Sequence, residues 1–217
     1  MGELLLVRHG ETEWTLSRRH TSYTDLPLTA NGEGQARAVA AVLAQRAVAL
    51  TLTSPLWRAR RTAELAALRH AQVEPDLHEW DYGGYEGLTT AEIRGARPGW
   101  ALWTDGVAAG PADHPGESPQ QVGARADRVL ARIRPVLADS TLGDVVLVAH
   151  GHLLRVLAAR QLGLPPAAGA LFRLDTGTVS TLGTEHGRPV VTRWNAAPPP
   201  ASPRVDQDRR HTVLRAG

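Results

Sequence analysis

The sequence predicts an α/β fold: a mostly parallel central sheet covered by helices on both faces. Three observations carry this. Residues 4–7, 48–52 and 145–149 are short aliphatic runs of the kind buried on both faces of a sheet. Segments with helical spacing of apolar residues lie between them, so strands and helices alternate. The length of 217 residues suits one sizeable domain, and 42% hydrophobic against 21% charged residues supplies an ordinary core and surface.

Taken in order, residues 4–7 form a strand that stops abruptly on Arg8-His9-Gly10-Glu11. A polar irregular segment follows and ends at Thr29, which can cap a helix burying Ala36, Val39, Ala40 and Leu43. Residues 48–52 give the second strand. Ser54-Pro55 then reads as an N-cap with proline at the first helical position, opening a helix to about residue 68 that carries Arg58, Arg60 and Arg61 early. A short strand near Val73 leads into the stretch 77–87, dense in glycine, aromatic and acidic residues. Residues 89–97 form a short helix, and 97–118 a loop-rich insertion. Ser118 with Gln121 has the form of a capping box, Pro119 occupying the first turn. The helix behind it buries Val122, Ala126, Val129, Leu130 and Ile133 and is expected to end at Pro135. Residues 145–149 form a strand ending on His150-Gly151-His152, followed by a helix through Leu153, Leu154, Val156 and Leu157. Residues 171–174, 179–182 and 190–194 read as late strands, partly antiparallel at the sheet edge. One domain over 1–195 is expected, followed by a disordered C-terminal tail over 196–217 with its three prolines and charged run.

Composition narrows the function. A net charge of +2 is too small to argue for a nucleic-acid or membrane partner. With no cysteine there is no disulfide, thiolate nucleophile or cysteine-bound zinc. No signal peptide precedes the first strand and no apolar run could span a bilayer, so a cytoplasmic location is the expectation. The sequence sets no oligomeric state and leaves a homodimer open.

Two strands, one early and one late, each finish on a histidine, so His9 and His150 can meet at one carboxyl edge of the sheet, where open α/β sheets bind ligands. A phosphate ester would use these groups well. Arg8 and Arg58 can clamp its oxygens, neutral His9 can attack phosphorus, and a protonated His150 can donate to an oxygen gaining charge. Glu79, beside Trp80 and Tyr82, can serve as proton donor. His150 and His152 also have the form of a metal-ligand pair, but no further spaced partners point to a metal site.

The order of these pieces resembles the histidine phosphatase superfamily, in its phosphoglycerate mutase-like branch. The matching stretches are Arg8-His9-Gly10-Glu11-Thr12-Glu13-Trp14, Asp25-Leu26-Pro27-Leu28-Thr29, Ser54-Pro55-Leu56-Trp57-Arg58-Ala59 with Thr62-Ala63, residues 79–87, Gly116-Glu117-Ser118 and Ala149-His150-Gly151. The resemblance implies a three-layer α/β/α sandwich and a phosphohistidine formed on His9. It implies Arg8, Arg58 and His150 in the phosphate pocket, Glu79 as proton donor, and no metal or other cofactor. Thr15, Thr21, Ser22 and Gly151 fall where the family contacts substrate. Thr15 replaces an asparagine that is frequent after the motif tryptophan, and Ser22 stands where glycine is usual, which puts its substrate contact in doubt if positive φ is required. Residues 79–88 with His20-Thr21 and 103–106 resemble the group of mutase-like acid phosphatases and sedoheptulose-1,7-bisphosphatases. The expected activity is hydrolysis of a small phosphorylated metabolite, because the gap from Glu79 to His150 is shorter than in the mutases. Phosphoglycerate mutation and non-catalytic binding of a phosphorylated ligand are the alternatives.

Overall fold

The computed structural model describes residues 2–139 and 141–199. A six-stranded sheet runs in the order β3-β2-β4-β1-β5-β6. Its strands are β1 (Leu4–Arg8), β2 (Val48–Thr53), β3 (Gln72–Val73), β4 (Asp144–Ala149), β5 (Val179–Glu185) and β6 (Arg188–Ala196). β1, β2, β3 and β4 are parallel, and β5 and β6 add an antiparallel edge.

The continuous apolar runs have a simple cause. Side chains alternate between faces along a strand, and both faces are covered. Leu4, Leu6, Val145, Leu147 and Ala149 point into one core with Val122, Val129, Ile133, Leu153 and Leu157. Leu5, Val7, Val146 and Val148 point into the other with Val39, Leu43, Ala59 and Ala63. The first core is roofed by α6 (Pro119–Ala138) and α7 (Gly151–Gln161), the second by α2 (Ala30–Leu43) and α3 (Trp57–Leu65). Short helices α1 (Glu13–Leu16), α4 (Thr90–Ala96) and α5 (Leu102–Asp105) lie in the connections. Among the described residues no helix is long and apolar enough to cross a membrane.

Several local expectations change. α3 begins at Trp57 with Leu56 at the cap position and no side-chain cap, so Ser54 does not cap it. α6 keeps its capping box at Ser118 and Gln121 but continues past Pro135 to Ala138, because burial of Leu137 and a bond from the Gly2 amide to the Leu137 carbonyl hold its last turn. No strand forms over 171–174. A 3₁₀ turn over Pro166–Leu171 ends there, and the Leu174 carbonyl is taken by Arg8 instead of a neighbouring strand. The expected tail begins at 196, yet Ala196 closes β6; residues 200–217 lie outside the described residues.

β4, the last strand to join the parallel set, lies between β1 and β2. The His9 amide donates to the Ala149 carbonyl and the Ser54 amide to the Val148 carbonyl, so pairing with β4 continues just past both strand ends. His9, Ser54 and His150 are therefore the first residues beyond three adjacent carboxyl ends.

Candidate active site

The turn after β1 fixes the first histidine. Gly10 lies so close to α2 that a Cβ there would meet the Gly32 carbonyl oxygen at 2.2 Å. The Gly10 amide donates to Thr62 Oγ1 (3.0 Å), whose hydroxyl donates to the Arg58 carbonyl (2.7 Å). His9 Nδ1 pairs with the Gly10 carbonyl at 2.8 Å. A carbonyl only accepts, so Nδ1 carries the proton and Nε2 keeps its lone pair. Burial, reinforced by Arg58 and Arg8, holds the His9 pKa well below the usual histidine range, so the ring is neutral.

Two guanidinium groups flank it. Arg58, fully buried, donates to the carbonyls of Thr21, Ser22 and Thr24. Arg8 donates from Nη1 to the Leu174 carbonyl at 2.6 Å. His150 lies beside His9, with ring centroids 5.1 Å apart, and its Nε2 is 2.6 Å from Ser54 Oγ. Among the described residues, Arg8 Nε, Arg58 Nε and His150 Nδ1 are buried nitrogens with no hydrogen-bond partner. The surroundings of His150 work against the protonated ring expected from the sequence. Burial, with Arg58 and His9 close by, pushes its pKa well below the usual range, so the neutral ring can donate only through the one nitrogen that carries hydrogen.

Glu79 faces the N-terminus of α7. Its carboxyl oxygens accept from the amides of Trp80 (2.9 Å), His152 (3.0 Å) and Leu153 (2.9 Å). Behind it, Arg125 donates to the carbonyls of Asp76, His78 and Glu79 and forms a two-pronged ion pair with Glu117. Arg125 thus ties α6 to the segment that presents Glu79.

Arg8, His9 and Glu79 open onto a cleft of about 430 Å³, lined also by Thr15, His20, Thr21, Tyr82, Gly151 and His152 among others, while Arg58 and His150 are fully buried and do not line it. Thr15 borders it, but the hydroxyl accepts from the Thr12 amide and donates to the Thr12 carbonyl, closing the cap of α1. Thr21 Oγ1 donates to the Arg19 carbonyl. Ser22 does not line the cleft. It is buried, adopts no positive φ, and gives its amide and hydroxyl to Glu86 and its carbonyl to Arg58. The turn needs no left-handed residue here, and the Ser22 carbonyl braces Arg58.

Sequence reasoning missed part of the wall. Tyr82 Oη lies 2.6 Å from His152 Nδ1. Burial raises the Tyr82 pKa well above its usual value and depresses that of His152, so a neutral phenol pairs with a neutral ring. His152 is therefore engaged with Tyr82, and His150 with Ser54. Among the described residues no group of three or more histidine, cysteine, aspartate or glutamate side chains is arranged to hold a metal ion. Trp100 is packing, nearly fully buried, and Trp103 lies under the Arg155 guanidinium at 4.7 Å. Arg18, Arg19, Arg155 and Arg173 ring the mouth. They are brought together in space from α7, in the case of Arg155, and from loops in the other three, for which local sequence holds no signal.

Residues 4–197 match the family model described as histidine phosphatase superfamily (branch 1). An acid phosphatase of Mycobacterium tuberculosis is 41% identical over 186 residues, 85% of this chain and 87% of that protein. The sedoheptulose 1,7-bisphosphatase of Saccharomyces cerevisiae is 39% identical over 189 residues, covering 74% and 67%. The solved structure of the open reading frame Rv3214 from Mycobacterium tuberculosis superposes with a TM-score of 0.82 at 39% identity, covering 90% of this chain and 98% of that one.

Proposed function

This chain belongs to the histidine phosphatase superfamily (branch 1), and we propose that it hydrolyses small phosphate monoesters through a phosphohistidine on His9. The observation that carries the residue assignment is the set of three partnerless buried nitrogens, Arg8 Nε, Arg58 Nε and His150 Nδ1, on the residues around His9. A buried donor left unpaired costs about 1–3 kcal/mol, so such groups are rare unless a ligand completes them. A phosphoryl group supplies acceptor oxygens and the negative charge that two guanidinium groups match.

His9 Nε2 attacks phosphorus as the ester P–O bond breaks, and Glu79 passes a proton to the leaving oxygen. Water then attacks the phosphohistidine, Glu79 takes its proton, and the N–P bond breaks to release phosphate and neutral His9. Arg8, Arg58 and neutral His150 bind the equatorial oxygens as charge builds on them. The four arginines at the mouth, two of them paired with Asp175 and Glu92, leave an excess of positive charge that favours a substrate with a second anionic group, a carboxylate or another phosphate, beyond the scissile one. A cytoplasmic location belongs to the same proposal, supported by a chain without cysteine.

The test is chemical. EDTA-treated enzyme quenched during turnover should carry acid-labile, base-stable phosphate on His9, and His9→Ala should lose turnover by at least 1000-fold, an order-of-magnitude expectation for loss of the nucleophile. Full activity in that variant would remove His9 from the mechanism. A panel of phosphoglycerates, sugar mono- and bisphosphates, nucleotides and phosphoamino acids, scored by kcat/KM, identifies the substrate class. Bisphosphate-primed interconversion of phosphoglycerates without phosphate release would replace hydrolysis by mutation.

A further inference from the structure

Ser54 has a hydroxyl whose connections run in one direction, and no role in the chemistry above. It is fully buried, immediately after β2, with its amide held by the Val148 carbonyl. Because α3 starts only at Trp57, Ser54 is released from helix capping. Its Oγ accepts the Leu56 amide at 3.3 Å and lies 2.6 Å from His150 Nε2.

We propose that Ser54 is a positioning residue that sets the tautomer of His150, donating its hydroxyl proton to Nε2 so that the ring hydrogen stays on Nδ1 and is offered to the phosphoryl oxygens. A neutral imidazole carries one N–H, and two arrangements are available. With hydrogen on Nε2, Oγ would accept from both Nε2 and the Leu56 amide, and the serine proton would lack the nearby acceptor that Nε2 provides. Nδ1 would then present a bare lone pair to an anion. With hydrogen on Nδ1, every link is matched: the Leu56 amide donates to Oγ, Oγ–H donates to Nε2, and Nδ1–H is free. Nδ1 is one of the three buried nitrogens without a partner, as a donor reserved for a ligand would be. Burial and the neighbouring Arg58 oppose the doubly protonated ring that could donate from both nitrogens.

This assignment rests on the phosphatase reading for its consequence but not for its test. In ¹⁵N-histidine-labelled resting enzyme, long-range ¹H–¹⁵N spectra should show His150 protonated on Nδ1 and unprotonated on Nε2. Ser54→Ala should shift that ring toward a mixture of tautomers and lower kcat/KM by about 10-fold to 100-fold, mostly in kcat, at the low end of what loss of one transition-state donor produces. Ser54→Thr, which keeps the hydroxyl, should restore the Nδ1–H signal. If Ser54→Ala does not fold, the wild-type spectrum alone decides. Hydrogen on Nε2 in the wild type, or an unchanged tautomer and unchanged kcat/KM in Ser54→Ala, would overturn the role of Ser54. An Nδ1–H tautomer in a protein that hydrolyses none of the panel would keep the role of Ser54 and remove the phosphatase reading instead.

Discussion

Gly151, the first residue of α7, has no room for a side chain on the pocket side. A Cβ there would stand 3.2 Å from Arg8 Cζ and 3.3 Å from Arg8 Nε, closer than most real contacts, so the arginine would have to yield by a few tenths of an ångström. Arg8 is poorly able to yield, because its Nη1 is held by the Leu174 carbonyl at 2.6 Å. Gly151→Ala should therefore displace Arg8 without harming the fold, since the crowding is mild and falls on one side chain at the first turn of α7. A fall in kcat/KM of about tenfold, with Tm within a few degrees of wild type, is the expected result in steady-state kinetics and a thermal melt; a 0.1 nm-scale misplacement near reacting groups has effects of this order or larger. Unchanged kcat/KM would show that Arg8 tolerates the shift. Residues of this kind were only half legible in the sequence. His9, His150, Arg8, Arg58, Glu79 and Gly151 stand in local motifs at strand ends or early helix turns, so they could be picked out. Ser54, Thr62, Arg125 and Tyr82 act through partners 52 to 96 positions away or on other elements, and only the folded chain shows those partners.

At the scale of elements, the pattern of apolar runs located the strands through β4 and the helices between them, because burial on both sheet faces leaves a strong signal. It failed where one local feature competed with tertiary packing. The serine-proline pair before α3 has the form of a helix start, but pairing of Ser54 with β4 keeps that residue in the sheet and moves the start to Trp57. Residues 171–174 have strand-like composition, yet the carbonyl at Leu174 belongs to the pocket wall. Pro135 shows the same conflict within α6. Proline cannot donate to the carbonyl one turn back and its ring crowds that carbonyl, a penalty of roughly 3 kcal/mol in a helix interior. The helix nonetheless continues to Ala138, where Leu137 is buried. Since Pro135 is exposed, Pro135→Ala restores the missing donor without disturbing the core. Greater freedom of the unfolded chain returns about 0.4–1 kcal/mol of that gain. The net stabilisation should approach 2 kcal/mol and raise Tm by about 4–8 °C in a protein of this size, with kcat/KM unchanged. A lower Tm in calorimetry would mean that the packing of α6 depends on the bend proline imposes.

For the whole molecule, the carboxyl edge that brings β1, β2 and β4 together concentrates neutral imidazoles where protons are excluded, and this ties stability to pH. His9, His150 and His152 each have a pKa held well below the usual histidine range, in all three cases chiefly by burial. In the unfolded chain they titrate near 6.5. Above that pH both states are neutral at these positions and no stability depends on them. As pH falls below about 6.5, the unfolded chain takes up protons that the native state refuses, so unfolding becomes easier. The slope per group approaches about 1.4 kcal/mol per pH unit only once the unfolded ring is fully protonated, so from pH 6.5 to 5.5 each contributes at most about 1 kcal/mol and the three together at most about 3 kcal/mol. Asp76 and Glu117, whose pKa values are lowered in the fold with Arg128 and Arg125 as partners, act in the same sense at still lower pH. Activity should follow a different course, because the depressed pKa of His9 keeps its Nε2 lone pair available below 6.5. Melting curves and initial rates measured in parallel from pH 7.5 to 5.5 should therefore separate. Tm should drop by on the order of 10 °C, most of it below pH 6.5, while kcat/KM loses no factor attributable to protonation of the nucleophile. A Tm that stays level over that range would mean that these imidazoles accept protons in the folded protein. Neutral His9 and His150 below pH 6.5 would then have to be given up, while the tautomer of the neutral His150 ring would still be decided by its own spectrum.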